Sequence, residues 1–581
     1  MLDPLPFISR RSVVYGTHGM VASSQPLATQ AGIQILQSGG NAAHHLYFSY
    51  SPFLVDTEPA ATGIGGDAAC LFYNAKTQKV VALNGTGRSP AALTLDYFKS
   101  HCKGSSIPET SIHAVTVPGA AAAWVDLVDH FGSGKLDMSA ILQPAIGLAE
   151  NGFPVSHFGS RLWNKAAKGL KEKNGNKNDF LFDGVRAPFE GEIMRLPDLA
   201  NTFKTVAAEG KDGFYKGRIG DSIVQAIRSR GGLMTHEDLA SHTSDVIEPI
   251  SLDYHGWTVW EIPPNSQGIT ALIAIGIIRA LEEEHGLDLS KLGHNSAEYL
   301  HVVIEALRLA FADTRCCVTD PQVLSVPTEK LLSREYLSKR AKLVDMKKRN
   351  SKIVQGYPDH KKDTVYFSVV DKEGNACSFL NSNFDHFGSH IIPDRCGFTL
   401  HNRGCNFMVD KNHPNCIGPK KRPYHTIIPS MITRKTPSGG HELEACFGVV
   451  GGYMQPQGHV QIIMNMLHFL TNPQHLVDLP RICIAPPEDD GAPSETNVFT
   501  NMNDSAVYVE DGISPKAIEQ LEAMGHTCYV VNGYRRTMFG RCQIIRAKKD
   551  TRTGQVVLAG GSDPRGDGQT VGLSSFGVAK L

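Results

Sequence analysis

The sequence lacks the features that mark several common classes of protein. Its formal net charge is only -1, from 57 basic and 58 acidic residues, so no overall field attracts nucleic acid or an anionic membrane. The longest apolar run, roughly residues 269–278, is about half the length that a membrane-spanning helix needs. Residues 1–11 contain two prolines and two adjacent arginines without a long apolar core, so no secretory signal is predicted. We therefore expect a cytoplasmic protein that binds small molecules and neither nucleic acid nor membranes.

Signatures of metal and cofactor binding are also missing. The twelve cysteines include no Cys-x-x-Cys pair, which fits neither a disulfide scaffold nor a zinc ribbon, so most are predicted to be buried thiols. His386 and His390 have the spacing of the His-Glu-x-x-His motif, but Phe387 stands where that motif needs glutamate. We predict no metal ion and no cofactor.

One glycine-rich segment imitates a dinucleotide-binding loop. Residues 63–68, Gly-Ile-Gly-Gly-Asp-Ala, match the pattern Gly-x-Gly-x-x-Ala. The preceding apolar run ends near Val55, and Asn84 and Gly85 stand where an acidic residue is needed about twenty positions further on. Nucleotide binding is therefore not predicted for this segment.

Helical patterns dominate the first half of the chain. Apolar residues recur at helical spacing over residues 295–313, and Asn295 with Glu298 resembles a capping box at the start of that helix. A second helix is predicted from about residue 120 to residue 130. The polar stretch 164–178, which has five lysines, is predicted to be a solvated loop.

A β-hairpin is predicted after residue 364. Residues 364–370 are apolar, β-branched or aromatic, residues 372–375 (Lys-Glu-Gly-Asn) are typical of a turn, and residues 376–380 form a second apolar run. Helices beside runs of antiparallel strands indicate layered sheets flanked by helices, an α+β fold. The hydrophobic fraction of 41% supports one large domain or two closely packed halves.

The first strand of this hairpin begins with a residue that can act as a nucleophile. A polar run ending in Asp363 leads directly to Thr364, and exposed polar backbone of that kind is easily cut. A threonine at a new chain terminus gains an α-amine with a pKa of about 7.7–8.0, close enough to neutral to deprotonate its own hydroxyl. The alternative is that Thr364 merely opens an ordinary strand.

Paired glycines follow another strand-like segment. Gly451 and Gly452 come directly after residues 445–450, an apolar run that ends in Val-Val. Two glycines at a strand end let successive backbone N–H groups point into a site, the geometry of an oxyanion hole. A bulge or a simple turn is the alternative.

A set of motifs in fixed order extends over almost the whole chain. The segments are 19–24, 26–28, 39–42, 63–66, 117–119, 310–313, 364–371, 421–423, 451–452 and 562–565. As a set they resemble the γ-glutamyltransferase family, also called glutathione hydrolases, of the N-terminal nucleophile superfamily. This resemblance favours the nucleophile interpretation of Thr364.

The resemblance implies a fold and a maturation step. Members of that family fold as an αββα four-layer sandwich, and their precursors cut themselves before the nucleophilic threonine. The equivalent cut here lies between Asp363 and Thr364 and gives a large subunit, residues 1–363, and a small subunit, residues 364–581. The two subunits are expected to form one intertwined domain, a heterodimer of the cleavage fragments.

The resemblance also implies a catalytic set. The Thr364 hydroxyl attacks the substrate amide, the Gly451 and Gly452 N–H groups stabilise the oxyanion, and water releases the acyl group from the enzyme. The family has a second hydroxyl 18 residues beyond the nucleophile, which falls on Ser382.

Two family positions that hold the substrate differ in this chain. The arginine that grips the α-carboxylate of a γ-glutamyl group is replaced by Thr86, although Arg88 lies two residues away and can substitute for it. The asparagine expected 20 residues after the nucleophile is Phe384, with Asn383 one place earlier.

The amine-binding positions differ as well. The acidic or amide side chain and the aspartate that hold the substrate amine fall on Arg403 and Asn406, and a Ser-Ser pair falls on His425 and Thr426. A cation and a neutral amide at these positions weaken the recognition of an ammonium group. Arg403 can instead meet a substrate carboxylate if it faces the site; otherwise it points to solvent or forms an internal ion pair.

The sequence therefore predicts a self-processing threonine amidohydrolase. Its substrates are predicted to be γ-glutamyl amides such as glutathione or its conjugates, with hydrolysis by water and transfer to an amine acceptor as a secondary activity. One alternative is an acylase for glutaryl-type or other amides that lack an α-amine. Another is an uncleaved, inactive relative that binds a ligand.

Overall fold

A computed structural model describes residues 11–45, 57–102, 104–175, 179–353, 364–469, 472–487 and 502–574. Asp363, on the amino side of the predicted cut, lies outside these ranges. The strands, β1 to β19 in chain order, are Val14–Gly16, Gly19–Ser23, Asp67–Asn74, Lys79–Gly85, Phe153–Pro154, Ile193–Met194, Asp245–Ile247, Ile250–Tyr254, Trp257–Glu261, Val365–Val370, Ala376–Ser382, Ser430–Lys435, His441–Val449, Ile482–Ala485, Ala506–Glu510, Cys528–Val531, Cys542–Lys549, Val556–Ser562 and Gln569–Leu573.

Helices occur in both halves of the chain. The α-helices, α1 to α16 in chain order, are Pro26–Gln37, Ala42–His45, Leu95–His101, Ala120–Phe131, Met138–Asn151, His157–Asn174, Pro197–Tyr215, Gly217–Arg228, His236–Ala240, Gly268–His285, Ala297–Arg315, Thr328–Leu331, Arg334–Ala341, Met454–His468, Pro473–Asp478 and Pro515–Ala523. Short 3₁₀ helices include Arg403–Asn406. The mixture of helices and antiparallel strands makes this an α+β fold, as the sequence predicts.

Two seven-stranded sheets form the centre of the protein. Sheet I has the order β1-β18-β17-β13-β12-β9-β8, and sheet II has the order β19-β2-β10-β11-β3-β4-β7. Neighbouring strands within both sheets are antiparallel. One buried apolar cluster contains side chains of both sheets, among them Met20 and Tyr366 of sheet II and Cys446 and Ile545 of sheet I.

Each sheet also shares an apolar cluster with helices. Val21 and Phe367 of sheet II pack in one cluster with Trp124 of α4 and other helical residues. Val259 of sheet I packs in a second cluster with Ile273 of α10. Burial of these side chains is the main stabilising contribution, at roughly 1.5–3 kcal/mol for each large apolar side chain.

The two halves of the chain alternate within both sheets. Segments on opposite sides of residue 364 pair as neighbouring strands in five places: β1 with β18, β9 with β12, β2 with β10, β2 with β19, and β3 with β11. The ladder hydrogen bonds between these strands do not depend on the peptide bond before Thr364. A cut at that bond therefore leaves the paired strands in place.

The predicted hairpin is confirmed, and two local predictions are wrong. Strands β10 and β11 pair directly, from Val370 with Ala376 to Val365 with Asn381. Helix α11 is capped by Ser296, whose hydroxyl accepts the Tyr299 N–H, whereas Asn295 donates to the carbonyl of Pro480.

The stretch 164–178, predicted to be a loop, belongs largely to helix α6. Its lysines are mostly exposed, while Leu162, Trp163 and Leu170 form a buried stripe on the helix. The solvated lysines form the polar face of this amphipathic helix, and a run of polar residues of that kind is equally typical of a loop.

All twelve cysteines are free, and seven of them are buried, as the sequence predicts. Among the described helices, none combines the length and the apolar character that crossing a membrane requires.

Candidate active site

Three neighbouring strand ends bring functional side chains into one row. In sheet II, Val365 pairs with Asn381, so Thr364 lies next to Ser382 at the end of β11. Ser382 in turn pairs with Asp67, the first residue of β3. All three side chains are fully buried. The strand register therefore delivers two hydroxyls and a carboxylate to the same edge of the sheet.

The Ser382 hydroxyl connects the nucleophile to its surroundings. Its Oγ lies 3.2 Å from Thr364 Oγ1 and accepts hydrogen bonds from the Phe384 N–H at 2.9 Å and from Arg403 Nη2 at 3.1 Å. A hydroxyl has two acceptor positions and one proton. With two N–H groups on its acceptor positions, the Ser382 hydroxyl is suited to act as the donor to Thr364 Oγ1. That hydrogen bond favours negative charge on the nucleophilic oxygen.

Arg403 is completely buried beside this hydroxyl. Its Nη1 donates to Thr426 Oγ1 at 2.6 Å, and the guanidinium lies 4.2 Å from the centroid of the Phe384 ring. Burial lowers the pKa of Arg403 to about 10, and the charge of Asp67 opposes this shift. The guanidinium is therefore still charged at neutral pH.

The backbone of Phe384 has an unusual conformation. Its φ is +76°, in the region that residues with a side chain rarely adopt. The same residue places its N–H on Ser382 Oγ and its ring over Arg403. Local strain at this position is held in place by contacts that all belong to the site.

Two further side chains contact Thr364. Gln455 Nε2 lies 3.5 Å from Thr364 Oγ1, and Arg541 Nη2 donates to the Thr364 carbonyl oxygen at 3.3 Å. Arg541 is itself paired with the buried carboxylate of Glu58 at 2.7 Å, and the other carboxylate oxygen of Glu58 accepts a hydrogen bond from Ser24. Arg541 therefore holds the backbone of Thr364, and Gln455 contacts its side chain.

Gly451 and Gly452 lie between strand β13 and helix α14. Their φ angles are +121° and +58°, values that favour glycine. Gln267 Nε2 donates to the Gly452 carbonyl at 2.8 Å, and the Gln455 N–H donates to the same oxygen at 3.2 Å. Helix α14 has no acidic residue in its first turn, so its positive end is not neutralised. Gln455 links this turn directly to Thr364.

Asp67 organises the opposite side of the site. Its carboxylate accepts hydrogen bonds from His425 Nε2 at 3.0 Å, from the Gly87 N–H at 2.9 Å and from the Gly119 N–H at 3.3 Å. A Cβ at Gly87 would lie 1.6 Å from the Val117 carbonyl oxygen, so only glycine allows this approach.

The charges around Asp67 shift two pKa values. Burial alone would raise the pKa of Asp67, but His401, His425 and Arg403 hold it well below its usual range. Burial, together with the charge of Arg403, lowers the pKa of His425 to about 3. At neutral pH the site therefore contains an ionised Asp67 and a neutral His425.

The remaining residues predicted from the sequence differ in their contacts with this cluster. Asn383 and Asn406 are buried, and the side-chain oxygen of each has no hydrogen-bond partner among the described residues. Thr426 joins the site through Arg403. Arg88 does not contact this cluster, since its guanidinium lies on Gln322 at 2.8 Å and Asp245 at 3.4 Å.

Sequence reasoning missed several residues of the site. Asp67 directly follows the glycine-rich motif 63–66, and Gln455 follows the paired glycines by three positions. Their proximity to recognised motifs was a usable signal. Gln267 and Arg541 come from segments with no motif, and only the fold brings them to the site.

Comparison with known proteins reveals relatives over the full chain. The family profile described as gamma-glutamyltranspeptidase matches residues 28–573. The glutathione hydrolase-like YwrD proenzyme of Bacillus subtilis (strain 168) is 34% identical, over 96% of this chain and 99% of that protein. The oxamate amidohydrolase proenzyme of Klebsiella pneumoniae subsp. pneumoniae is 28% identical, over 96% and 98%. The crystal structure of cephalosporin acylase from Bacillus halodurans has a TM-score of 0.84 and 37% identity, and the match covers 99% of this chain and 100% of that one.

Proposed function

The chain belongs to the gamma-glutamyltranspeptidase family, and from this membership and the geometry around Thr364 we propose that it is a self-processing threonine amidohydrolase. The observation that carries the proposal is the fully buried contact between Thr364 Oγ1 and Ser382 Oγ, at the strand end where the family has its nucleophile. The same contacts support hydrolysis of γ-glutamyl or related amides through an acyl-enzyme.

The chemistry begins when Thr364 becomes a chain terminus. Its α-amine removes the proton from its own hydroxyl, and Oγ1 attacks the carbonyl carbon of the amide. The carbon–nitrogen bond of the amide breaks, and the leaving amine takes the proton from the Thr364 ammonium. An ester between the acyl group and Thr364 Oγ1 remains. Water, deprotonated by the same amine, then attacks the ester and releases the acid, and an amine acceptor in place of water gives transfer.

The surrounding groups stabilise the charges that develop in these steps. Ser382 and Gln455 donate to Oγ1 of Thr364, and the N–H groups of Gly451 and Gly452 are assigned to the oxyanion. Removal of a single donor to a developing oxyanion typically slows an enzyme by about 10²–10³.

Maturation by a cut between Asp363 and Thr364 is part of the proposal. The fragments 1–363 and 364–581 would remain one intertwined domain, a heterodimer held by the strand pairs that cross between them. The two sheets with a shared apolar cluster, each also packed with helices, support the αββα four-layer arrangement.

Two classes of acyl group fit this proposal. The YwrD-type relative supports γ-glutamyl amides such as glutathione and its conjugates. The oxamate amidohydrolase supports amides whose acyl group has no α-amine, and the cephalosporin acylase supports amides other than those of glutathione. The second class is favoured by Arg403 and Asn406, which replace the groups that hold the substrate amine in the family.

Denaturing gels and intact-mass spectrometry test the proposal. Fresh wild-type protein should give two fragments of roughly 40 and 23 kDa from the 63.1 kDa chain, and Thr364→Ala should give one. Exposure to a panel of amide substrates should leave an acyl group on the small fragment at Thr364. An intact wild-type chain that forms no adduct and hydrolyses no amide would instead indicate an inactive binding protein.

A further inference from the structure

The Arg403 guanidinium has fewer partners than a buried cation needs. It has five N–H donors, and the structure uses one on Ser382 and one on Thr426, both neutral hydroxyls. Its Nε has no hydrogen-bond partner within the described part of the chain, and none of the carboxylate oxygens described there lies within 4.0 Å of the guanidinium. Buried charges in proteins are normally paired.

The nearby carboxylates are already engaged. Both oxygens of Asp67 accept hydrogen bonds, one from His425 and the other from backbone N–H groups. Glu58 is bound by Arg541 and Ser24. Neither supplies the direct partner that Arg403 lacks.

Arg403 also lies close to the reacting oxygen. Contacts of 3.2 Å and 3.1 Å through Ser382 place Arg403 Nη2 no more than about 6.3 Å from Thr364 Oγ1. A carbonyl carbon poised for attack lies about 3 Å from Oγ1, so the acyl chain next to it passes within reach of the guanidinium.

We infer that Arg403 binds a carboxylate at the far end of the acyl group, so that the substrate is an amide of a short dicarboxylic acid. The inference rests on the proposed function. Chains from oxalyl to glutaryl span the available distance, and a γ-glutamyl group presents its α-carboxylate at the same separation as glutaryl. The carboxylate is the recognised feature, because the charge of Arg403 repels an ammonium group and the amide of Asn406 offers it only a neutral oxygen.

A panel of anilides tests this inference on the wild-type enzyme. Glutaryl p-nitroanilide should be hydrolysed with a kcat/KM roughly 100-fold above that of its methyl ester, which has nearly the same shape without the charge. The γ-glutamyl anilide should not exceed the glutaryl anilide, and a longer dicarboxylic chain such as suberyl should be poor. Equal rates for the acid and the ester, or a strong preference for the amine-bearing substrate, would overturn the inference.

Variants of Arg403 separate substrate recognition from support of Ser382. Arg403→Met should reduce kcat/KM for the glutaryl anilide and leave the rate for its ester far less affected, so the preference disappears; Arg403→Lys should restore part of it. A loss of the same factor for both substrates would assign Arg403 a purely structural role. If Arg403→Met fails to fold, the acid and ester comparison on wild-type enzyme still decides. Failure of the proposed function looks different, because then neither self-cleavage nor an acyl adduct appears.

A second inference comes from a different part of the surface. The turn between β8 and β9, helix α10 and the end of helix α14 bring His255, Glu282 and His468 together, with one ligand atom of each within 4.8 Å of the others. His255 Nε2 lies 3.0 Å from Glu282 Oε2, and His468 Nε2 lies 3.8 Å from Glu282 Oε1.

These separations suit a tetrahedral metal ion. Two ligands about 2.1 Å from such an ion lie about 3.4 Å apart. The separation of His255 from one carboxylate oxygen of Glu282, and that of His468 from the other, each differ from this value by about 0.4 Å. Tyr254 donates its hydroxyl to Glu282 Oε2 at 2.8 Å and so orients the carboxylate, the role of an outer partner in metal sites. The same hydroxyl lies 2.8 Å from His468 Nε2, a hydrogen bond that a metal ion bound to this nitrogen would replace. The structure assigns this cluster as a site for a first-row divalent metal such as zinc, which two imidazoles and a carboxylate favour.

Titration calorimetry with Zn²⁺ on untagged protein tests the assignment. Wild type should bind one equivalent that His255→Gln, a change at a half-exposed turn, weakens at least 10-fold. His236→Gln is the matched control, since His236 is an exposed histidine paired with a single carboxylate, Asp221, at 2.9 Å. Absence of saturable binding, or equal binding by both variants, would leave a simple ion pair at His255 and overturn the assignment.

Discussion

The hydroxyl of Ser382 offers the sharpest test of the site. Ser382→Ala removes the acceptor shared by Arg403 Nη2 and the Phe384 N–H, both fully buried. A buried donor left without an acceptor costs about 1–3 kcal/mol, so this substitution should lower the free energy of unfolding by about 2–6 kcal/mol. It also removes the donor to Thr364 Oγ1, which should reduce kcat by about 10²–10³.

Ser378→Ala provides a matched control on the same strand. Ser378 Oγ contacts the Tyr366 hydroxyl at 2.9 Å, accepts the Ser430 N–H at 3.0 Å and donates to the Phe447 carbonyl at 3.3 Å, but it does not contact the nucleophile. Its loss should therefore destabilise the protein to a similar extent and leave kcat within about threefold of wild type.

Three measurements on each variant separate the two effects. Urea unfolding gives stability, intact-mass spectrometry gives the rate of self-cleavage, and hydrolysis of an acyl anilide gives kcat. If Ser382→Ala loses stability as predicted but cleaves itself and turns over at the wild-type rate, then the proposed hydrogen bond to Thr364 Oγ1 has no catalytic role. If kcat falls by the same factor in Ser382→Ala and Ser378→Ala, the cause is a general loss of structure.

Three further predictions concern charged and polar groups. Asp67→Asn should lower the free energy of unfolding at pH 7 by about 3–5 kcal/mol. Because the folded pKa of Asp67 is held below its usual value, the stability that the carboxylate confers is present above about pH 4 and is lost as the pH falls. In urea unfolding, the free energies of unfolding of the variant and the wild type should therefore converge in acid. His242 is buried, and neither ring nitrogen has a hydrogen-bond partner among the described residues. Burial also lowers its pKa to about 3. His242→Leu should therefore raise the free energy of unfolding at pH 7 by about 1–3 kcal/mol. The difference in free energy of unfolding between this variant and the wild type should grow by about 1.4 kcal/mol per pH unit below pH 6.5, because there the unfolded histidine takes up a proton that the folded one does not. A difference that shrinks as the pH falls would contradict this. A hydrogen bond from Cys317 lowers the pKa of the exposed Cys316 to about 7, so iodoacetamide should label Cys316 first among the cysteines at pH 7.5. Cys317→Ala removes that donor and should slow the labelling.

The contact between Thr364 and Ser382 could be predicted from the hairpin. A turn over residues 372–375 fixes the pairing of Val370 with Ala376, and antiparallel register then carries residue 364 to residue 382. The 18-residue spacing of the two hydroxyls is therefore a property of the turn as well as of the family.

The rest of the site depends on contacts between distant segments. Arg403 comes from a 3₁₀ helix and Arg541 directly precedes strand β17, and no periodicity in the sequence aims either side chain at Thr364. The positive φ of Phe384 has no sequence signal, since an aromatic residue is not expected there. The cap of helix α11 was missed by one residue because Asn295 and Ser296 are both good capping residues, and only the bond from Asn295 to Pro480 decides between them.

Strands near the start and near the end of the described chain are neighbours in both sheets, β1 beside β18 and β2 beside β19. Strand β19 pairs with β2, the N–H groups of Thr17 and His18 both donate to the Leu573 carbonyl, and Arg11 donates to the carbonyl of Gly568. The first and last described segments of the chain thus meet on one side of the molecule. A circular permutant that joins them by a linker and starts translation at Met-Thr364 would reach the same topology, and removal of the initiator methionine would deliver the reactive terminus without any internal scission.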